Sequence, residues 1–260
     1  MTHKNLIGIS GKINSGKDTV GKVIQILDMF PDMSDQKVVE HLDKELFNTG
    51  FQVKKFAFKM KQMVSLMLGC TVEELEDRDF KEKELGEEWW YYKRIRSKLG
   101  GNFDYDLLGY SAHKHLYGNE TYQLVKPTPR LLLQLTGTEC GREILHPNIW
   151  VNALFADYRP KGDVRMEKDG RMTKNLVYPK WVITDFRFPK EAEAIKYRNG
   201  TLIRVERPGL LRPGKEHPSE TALNNYEGFD HIIVNDGNLE DLVRKVRETI
   251  EHQNNGTQKV

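Results

Sequence analysis

Along most of this 260-residue chain, short apolar runs give way to stretches of helical spacing. Leu6, Ile7 and Ile9 form the first run, which reads as a short buried strand. Val20, Val23, Ile24 and Leu27 then recur at helical spacing, and Pro31 stops that run. Over residues 34–49, Ser34 is placed to cap a helix with Val38, Val39, Leu42 and Leu46 on one face and Gly50 at its end. Residues 51–58 read as a second strand. Met60, Met63, Val64, Met67 and Leu68 predict a helix closed by Gly69, and Thr71 with Glu74 has capping-box spacing that starts another.

Residues 80–126 lose the period. Charges, glycines and aromatics mix there (Trp89, Trp90, Tyr91, Tyr92, Gly100, Gly101), which reads as an insertion. Order resumes at Thr128 and Pro129, a helix start with proline at its first position, with Leu131, Leu132 and Leu135 as its apolar side and Gly137 closing it. A helix beginning near Pro147 carries Trp150, Val151, Leu154, Phe155 and Tyr158. Residues 159–179 form a polar excursion in which Lys168-Asp169-Gly170 reads as a hairpin turn. Residues 181–184, 201–205 and 231–234 are further strands. Pro189 opens a helix with Ala192, Ala194 and Ile195 inward, ended by Gly200, and Asn238 caps a last helix with Leu242, Val243, Val246 and Ile250 on one face.

Strands alternating with helices predict an α/β fold, a parallel sheet with helices on both faces and ligands at the carboxyl ends of its strands. The polar clusters fall at those ends: the loop 11–19, Asp185-Phe186-Arg187, Arg207-Pro208 and Asn235-Asp236-Gly237. The first is Gly11-Lys12-Ile13-Asn14-Ser15-Gly16-Lys17-Asp18-Thr19. Strand, glycine loop and helix make a phosphate-binding P-loop: backbone N–H groups converge on one point, the helix adds its positive end, and Lys17 follows charge onto the phosphates. Gly11, Asn14, Ser15, Gly16, Lys17, Asp18 and Thr19 are the candidate ATP contacts. Asp18 stands where the usual pattern has Ser or Thr. A carboxylate there repels phosphate unless a divalent ion lies between them, so Asp18, with Asp185 at its strand end, is a candidate Mg²⁺ ligand, and Thr19 a phosphate donor. Arg130, Arg142, Arg187, Arg207 and Arg212 are candidate phosphate clamps.

A net charge of +2 argues against a general polyanion surface and hence against nucleic acid as partner. Two lone cysteines, Cys70 and Cys140, point to a reducing, cytoplasmic setting. No apolar run reaches membrane-spanning length and no signal-peptide pattern opens the chain. His113 and His115 lack supporting metal ligands, and the 89–92 aromatics lack a basic strip for stacking bases.

The chain resembles the P-loop deoxynucleoside monophosphate kinases carried by large bacteriophages. The resemblance rests, in order, on the GKDT loop ending at Thr19, on Arg130 to Thr138 with its arginine–helix–GT pattern, and on the tryptophan helix from Trp150. It continues through Asp185-Phe186-Arg187 with Glu191, Val205-Glu206-Arg207-Pro208-Gly209, His217-Pro218-Ser219-Glu220, and Asn235-Asp236-Gly237 before the last helix. It implies the nucleoside monophosphate kinase fold with a five-stranded parallel core, an acceptor-binding arm and a lid, and ATP and Mg²⁺ as requirements. It also implies Lys17, Asp185 and Arg187 as catalytic residues. Arg130, Gln134, Thr138, Trp150 and Arg187 would surround the acceptor nucleotide, and Asn235 to Gly237 would lie near the ATP base. Residues 70–126 depart from the family's arm, and Arg78 and Lys81 are the candidates there for its phosphate-contacting residue. The expectation is a single kinase domain over 1–260, with 70–126 as inserted arm and 207–220 as a lid carrying Arg207 and Arg212. A monomer or homodimer is expected. Two alternatives stay open from the sequence: a P-loop kinase for another phosphorylated acceptor, such as dephospho-coenzyme A or phosphomevalonate, and a nucleotide-binding regulatory module.

Overall fold

The computed structural model describes residues 5–44, 50–94, 107–118, 121–166, 171–209 and 221–255. Leu46, Gly100, Gly101, the Lys168-Asp169-Gly170 turn, Arg212 and the His217 to Glu220 segment lie outside these residues. In chain order the elements are β1 (Leu6–Gly11), α1 (Lys17–Met29), α2 (Asp35–Glu40), β2 (Gln52–Lys54), α3 (Ala57–Leu68), α4 (Arg78–Glu82), β3 (Tyr91–Arg94), β4 (Leu107–Gly109) and β5 (Tyr122–Val125). Then come α5 (Pro129–Leu135), α6 (Ile149–Phe155), β6 (Lys161–Met166), β7 (Met172–Val177), β8 (Trp181–Ile183), α7 (Pro189–Lys196), β9 (Thr201–Glu206), β10 (His231–Val234) and α8 (Leu239–Asn255).

The chain forms two compact units, one of Met1–Phe56 with Val151–Val260 and one of Ala57–Trp150. The first holds the five-stranded sheet, in the order β10-β9-β1-β8-β2. All four pairings are parallel, with Leu6 opposite Trp181 and Ile7 opposite Thr201. Strand alternation sorts the buried side chains onto two faces. Ile7, Ile9, Val182, Ile203 and Val205 pack with Val20, Val23, Ile24 and Leu27 of α1 and Leu242, Val243 and Val246 of α8. Leu6, Trp181, Ile183 and Leu202 pack with Ala192 and Ile195 of α7 and Leu154 and Phe155 of α6. Helices therefore cover both faces, as the alternation of strands and helices implies.

The second unit contains α3, α4, the antiparallel sheet β4-β3-β5, and α5. Its three strands are only three or four residues long, too short to leave a period in the sequence. Tyr92 of the central strand is 1% exposed and packs near Tyr110, with ring centroids 5.9 Å apart.

Several elements differ from the sequence expectation. The helix expected over 34–49 ends at Glu40, Ser34 makes no side-chain cap bond, and turns follow through residue 44. The strand expected over 51–58 stops at Lys54, because the Phe56 N–H goes to the Asp185 carboxylate (2.7 Å) instead of to a neighbouring strand. Thr71 and Glu74 do make both reciprocal capping bonds, yet they introduce only a single 3₁₀ turn at Glu74–Glu76. Within the polar excursion over 159–179, β6 and β7 pair as an antiparallel ribbon on either side of the expected hairpin turn, which itself lies outside the described residues. Gly137 does not end α5. The chain continues as a π-helix over Thr136–Leu145, with the Gly137 carbonyl taking the Trp150 indole N–H (2.9 Å) and an Arg142 N–H (3.0 Å). Side-chain donors at that carbonyl accompany the wider turn.

Candidate active site

The loop after β1 is built to a particular backbone path. Asn14 and Gly16 both have positive φ, 63° and 97°. Ser15 N–H donates back to the Lys12 carbonyl (3.1 Å), and the first helical bond of α1 runs from Val20 N–H to the Gly16 carbonyl. The amides of Lys17, Asp18 and Thr19 therefore lie ahead of the helix's own ladder, where an N-terminus attracts anions. Two glycines are required sterically. A Cβ on Gly11 would lie 2.4 Å from Ser15 Oγ, and one on Gly16 would lie 2.6 Å from Asn235 Nδ2. Asn235, after β10, donates that Nδ2–H to the Ser15 carbonyl (2.9 Å). It thus fixes the loop from behind.

Charges converge in front of the loop. The Lys17 side chain is 12% exposed and its ammonium lies 3.7 Å from Asp18 Oδ2. Burial lowers its pKa from the ordinary 10.5, Asp18 opposes that, and the cations Arg187 and Lys55 add to the lowering, with Asp185 opposing. Lys17, Asp18, Lys55, Asp185 and Arg187 therefore share one field at the carboxyl ends of β1, β8 and β2. Thr184 Oγ1 donates to Asp18 Oδ1 (2.8 Å), and Lys55 Nζ lies 3.7 Å from the same oxygen. Asp185 Oδ1 accepts the Phe56 N–H. Behind Arg187, Glu191 is 4% exposed and accepts the N–H groups of Arg187 (2.8 Å) and Phe188 (3.2 Å). That pair of bonds sets the backbone from which the Arg187 side chain projects.

On the β9 and β10 side, a cavity of about 310 Å³ is lined by Lys12, Arg204, Val205, Glu206, Arg207 and Val234, among others. Arg207 Nη1 lies 3.5 Å from the Asn14 carbonyl. Gly237 sits against Asp241 in the turn where Asn238 Oδ1 caps α8 by accepting the Asp241 N–H (2.8 Å).

The expected acceptor residues other than Arg187 belong to the second unit. Arg78 is the exposed first residue of α4, whose N-cap is Asp77, and Arg130 pairs with Glu82. Gln134 and Thr138 are exposed, Gln134 on α5 and Thr138 in the π-helix. Trp150 is 4% exposed, and its indole N–H is committed to Gly137. In this unit it holds the π segment in place.

Sequence reading missed Lys55 and Thr184 as partners of the site, and it found Glu191 only as part of the segment that carries the resemblance, without its role. Lys55 sits beside Lys54 and looks like ordinary solvated charge. Thr184 directly precedes Asp185, which was the only signal it carried. Among the described residues no cluster of three His, Cys, Asp or Glu side chains forms a metal cage, and no helix is long and apolar enough to cross a membrane.

The family model for deoxynucleotide monophosphate kinase matches residues 105–246, more than half of the chain. The chain belongs to this family. A deoxynucleoside-5'-monophosphate kinase of Escherichia phage T5 is 24% identical over 91% of this chain and 96% of its own length. A protein of Acanthamoeba polyphaga mimivirus given the same family name is 30% identical over 132 residues, 48% of this chain and 62% of that protein. The deoxynucleotide monophosphate kinase of Enterobacteria phage T4 is 26% identical over 63% of this chain and 64% of its own length. The alignments thus span a little over three fifths of the mimivirus and T4 proteins and nearly all of the T5 protein.

Proposed function

We propose that the protein transfers the γ-phosphate of ATP to the α-phosphate of a deoxynucleoside monophosphate, giving the diphosphate. The observation that carries this reading is the convergence of Lys17, Asp18, Asp185 and Arg187 on one field at the P-loop. Phosphoryl transfer demands positioning and positive charge on the migrating group, with no covalent intermediate. Lys17 supplies an ammonium held ready by the fold, and Arg187 a guanidinium whose backbone is set by Glu191. The loop amides take the triphosphate, and the 310 Å³ cavity with Arg207 receives its nucleoside end. Arg78, Arg130, Gln134 and Thr138, with Arg187, are the residues we assign to the acceptor nucleotide. Trp150, whose indole N–H goes to the Gly137 carbonyl, is assigned to the same nucleotide. Residues 207–220, with Arg207 and Arg212, are assigned as a lid that excludes water, and 70–126 as the acceptor-binding arm.

Mg²⁺ fits this site. It binds through one or two carboxylates and keeps waters and substrate phosphates as its other ligands, and Asp18 and Asp185 supply two carboxylates beside Lys17. Asp18 and Asp185 would hold it, and the ion would neutralise phosphate charge there. The free cysteines and near-neutral net charge suit a cytoplasmic enzyme acting on small nucleotides, and we infer that it works as a monomer or homodimer.

The test is a coupled ADP-release assay over a panel of nucleoside monophosphates. ADP release stimulated by deoxynucleoside monophosphates is expected. Tight ATP binding without stimulation by any monophosphate would overturn the reading.

A further inference from the structure

Asp18 places a carboxylate among amides arranged for an anion. The fold answers it from both sides, with Lys17 Nζ 3.7 Å from Oδ2 and Lys55 Nζ 3.7 Å from Oδ1. The sheet order gives these two lysines different places. The loop follows β1 in the middle of the sheet, and β9 and β10 lie to one side with Arg207 and the large cavity. Lys55 follows β2, the edge strand on the opposite side, beyond β8 and Asp185. A triphosphate whose nucleoside end occupies the cavity and whose middle lies on the loop runs out toward Lys55.

The Lys55–Asp18 pair is a poor candidate for a purely structural contact. The two side chains are 40% and 61% exposed, and a solvated pair at that distance adds little to stability. The cluster is also rich in cations. Lys17 and Lys55 both reach the Asp18 carboxylate, and Arg187 stands two positions beyond Asp185. Three basic groups so close together are complemented by an added anion.

We propose that Lys55 is a second lysine of the transfer site, donating an N–H to the terminal phosphoryl oxygens of bound ATP. This rests on the kinase reading above. The ammonium stays protonated throughout. The bond between the γ-phosphorus and the β,γ-bridging oxygen breaks, its electron pair leaves with ADP, and an α-phosphate oxygen of the acceptor forms the new bond.

The test uses the full chain with Lys55→Met and Lys55→Arg, read by calorimetric titration of ATP and of ADP, by thermal unfolding and by turnover. Lys55→Met is expected to lower the ratio of ATP to ADP affinity about tenfold, the value of one charged hydrogen bond to the terminal phosphate. ADP affinity and the unfolding temperature stay as in wild type, turnover falls about 100-fold, and Lys55→Arg keeps most of the ratio. A purely structural residue would not move that ratio. An unchanged ratio in Lys55→Met overturns the proposal, as does a wild-type chain that binds ATP and ADP equally. A wild type that prefers ATP but responds to no monophosphate overturns the kinase reading instead, and the affinity ratio still decides the role of Lys55.

Discussion

Gly16 and Asn235 meet at one point, and a double-mutant cycle measures what that contact is worth. Asn235→Ala removes the donor to the Ser15 carbonyl, a loss of about 1 kcal/mol. Gly16→Ala places a side chain on a residue at φ 97°, with its Cβ 2.6 Å from Asn235 Nδ2. The left-handed backbone costs about 1–2 kcal/mol. Pushing Asn235 off Ser15 costs about 1 kcal/mol more. The single variants are therefore expected to lose about 1 and about 2–3 kcal/mol. In the double variant the obstructing amide is already gone, so the total stays near about 2–3 kcal/mol and the coupling is about 1 kcal/mol. Thermal unfolding followed by circular dichroism reads this as a shift of about 2–4 °C per kcal/mol for a chain of this size. Additivity within about 0.3–0.5 kcal/mol would refute the contact. The same variants separate the two assignments of Asn235. If it braces the loop, Asn235→Ala weakens ATP and GTP equally; if it reads the base, it changes the preference between them at unchanged stability.

Two further outcomes follow from the site. Lys17 has a folded pKa below 10.5. Its penalty on folding is therefore fully present below that lowered value and fades as pH rises toward 10.5, while ATP affinity falls over the same window as the ammonium is lost. Titration of ATP affinity against pH should show this loss in wild type but not in Lys17→Arg, and parallel curves would contradict it. Glu191→Ala leaves the N–H groups of Arg187 and Phe188 without their carboxylate, at a cost of about 2–3 kcal/mol. Turnover should fall with it while Glu191→Gln loses less of both; a variant as stable and active as wild type would show that Glu191 does not set Arg187.

The parts of this molecule that were legible in the sequence are those with long-range periodicity or fixed spacing. The buried strands and α1, α7 and α8 follow from the recurrence of Ile, Val and Leu. The phosphate loop follows from two glycines and a lysine between a strand and a helix. Elements decided by tertiary partners were not legible. Strand β2 ends because Asp185, 129 positions from Phe56, captures its N–H. Trp150 and Arg142 meet at the Gly137 carbonyl within a π-helix, where a glycine suggests a helix end. Asn235 was placed near the base by resemblance, and its contact to Ser15 depends on how β10 lies beside β9, which no local pattern encodes. Lys55 carried no signal beyond charge, because its meaning comes from the strand order.

The central strand of the sheet is the first to be synthesised and among the last to be completed. Leu6 pairs with Trp181, and Gly11 with Val205, so both edges of β1 wait for chain that emerges some 175 residues or more later. During translation the apolar segment Leu6–Gly11 must be kept from other strands through all of the intervening synthesis, a topology that folds slowly and exposes aggregation-prone edges. A fragment that stops short of Glu206 would retain the whole phosphate-loop sequence and still lack the framework that shapes it.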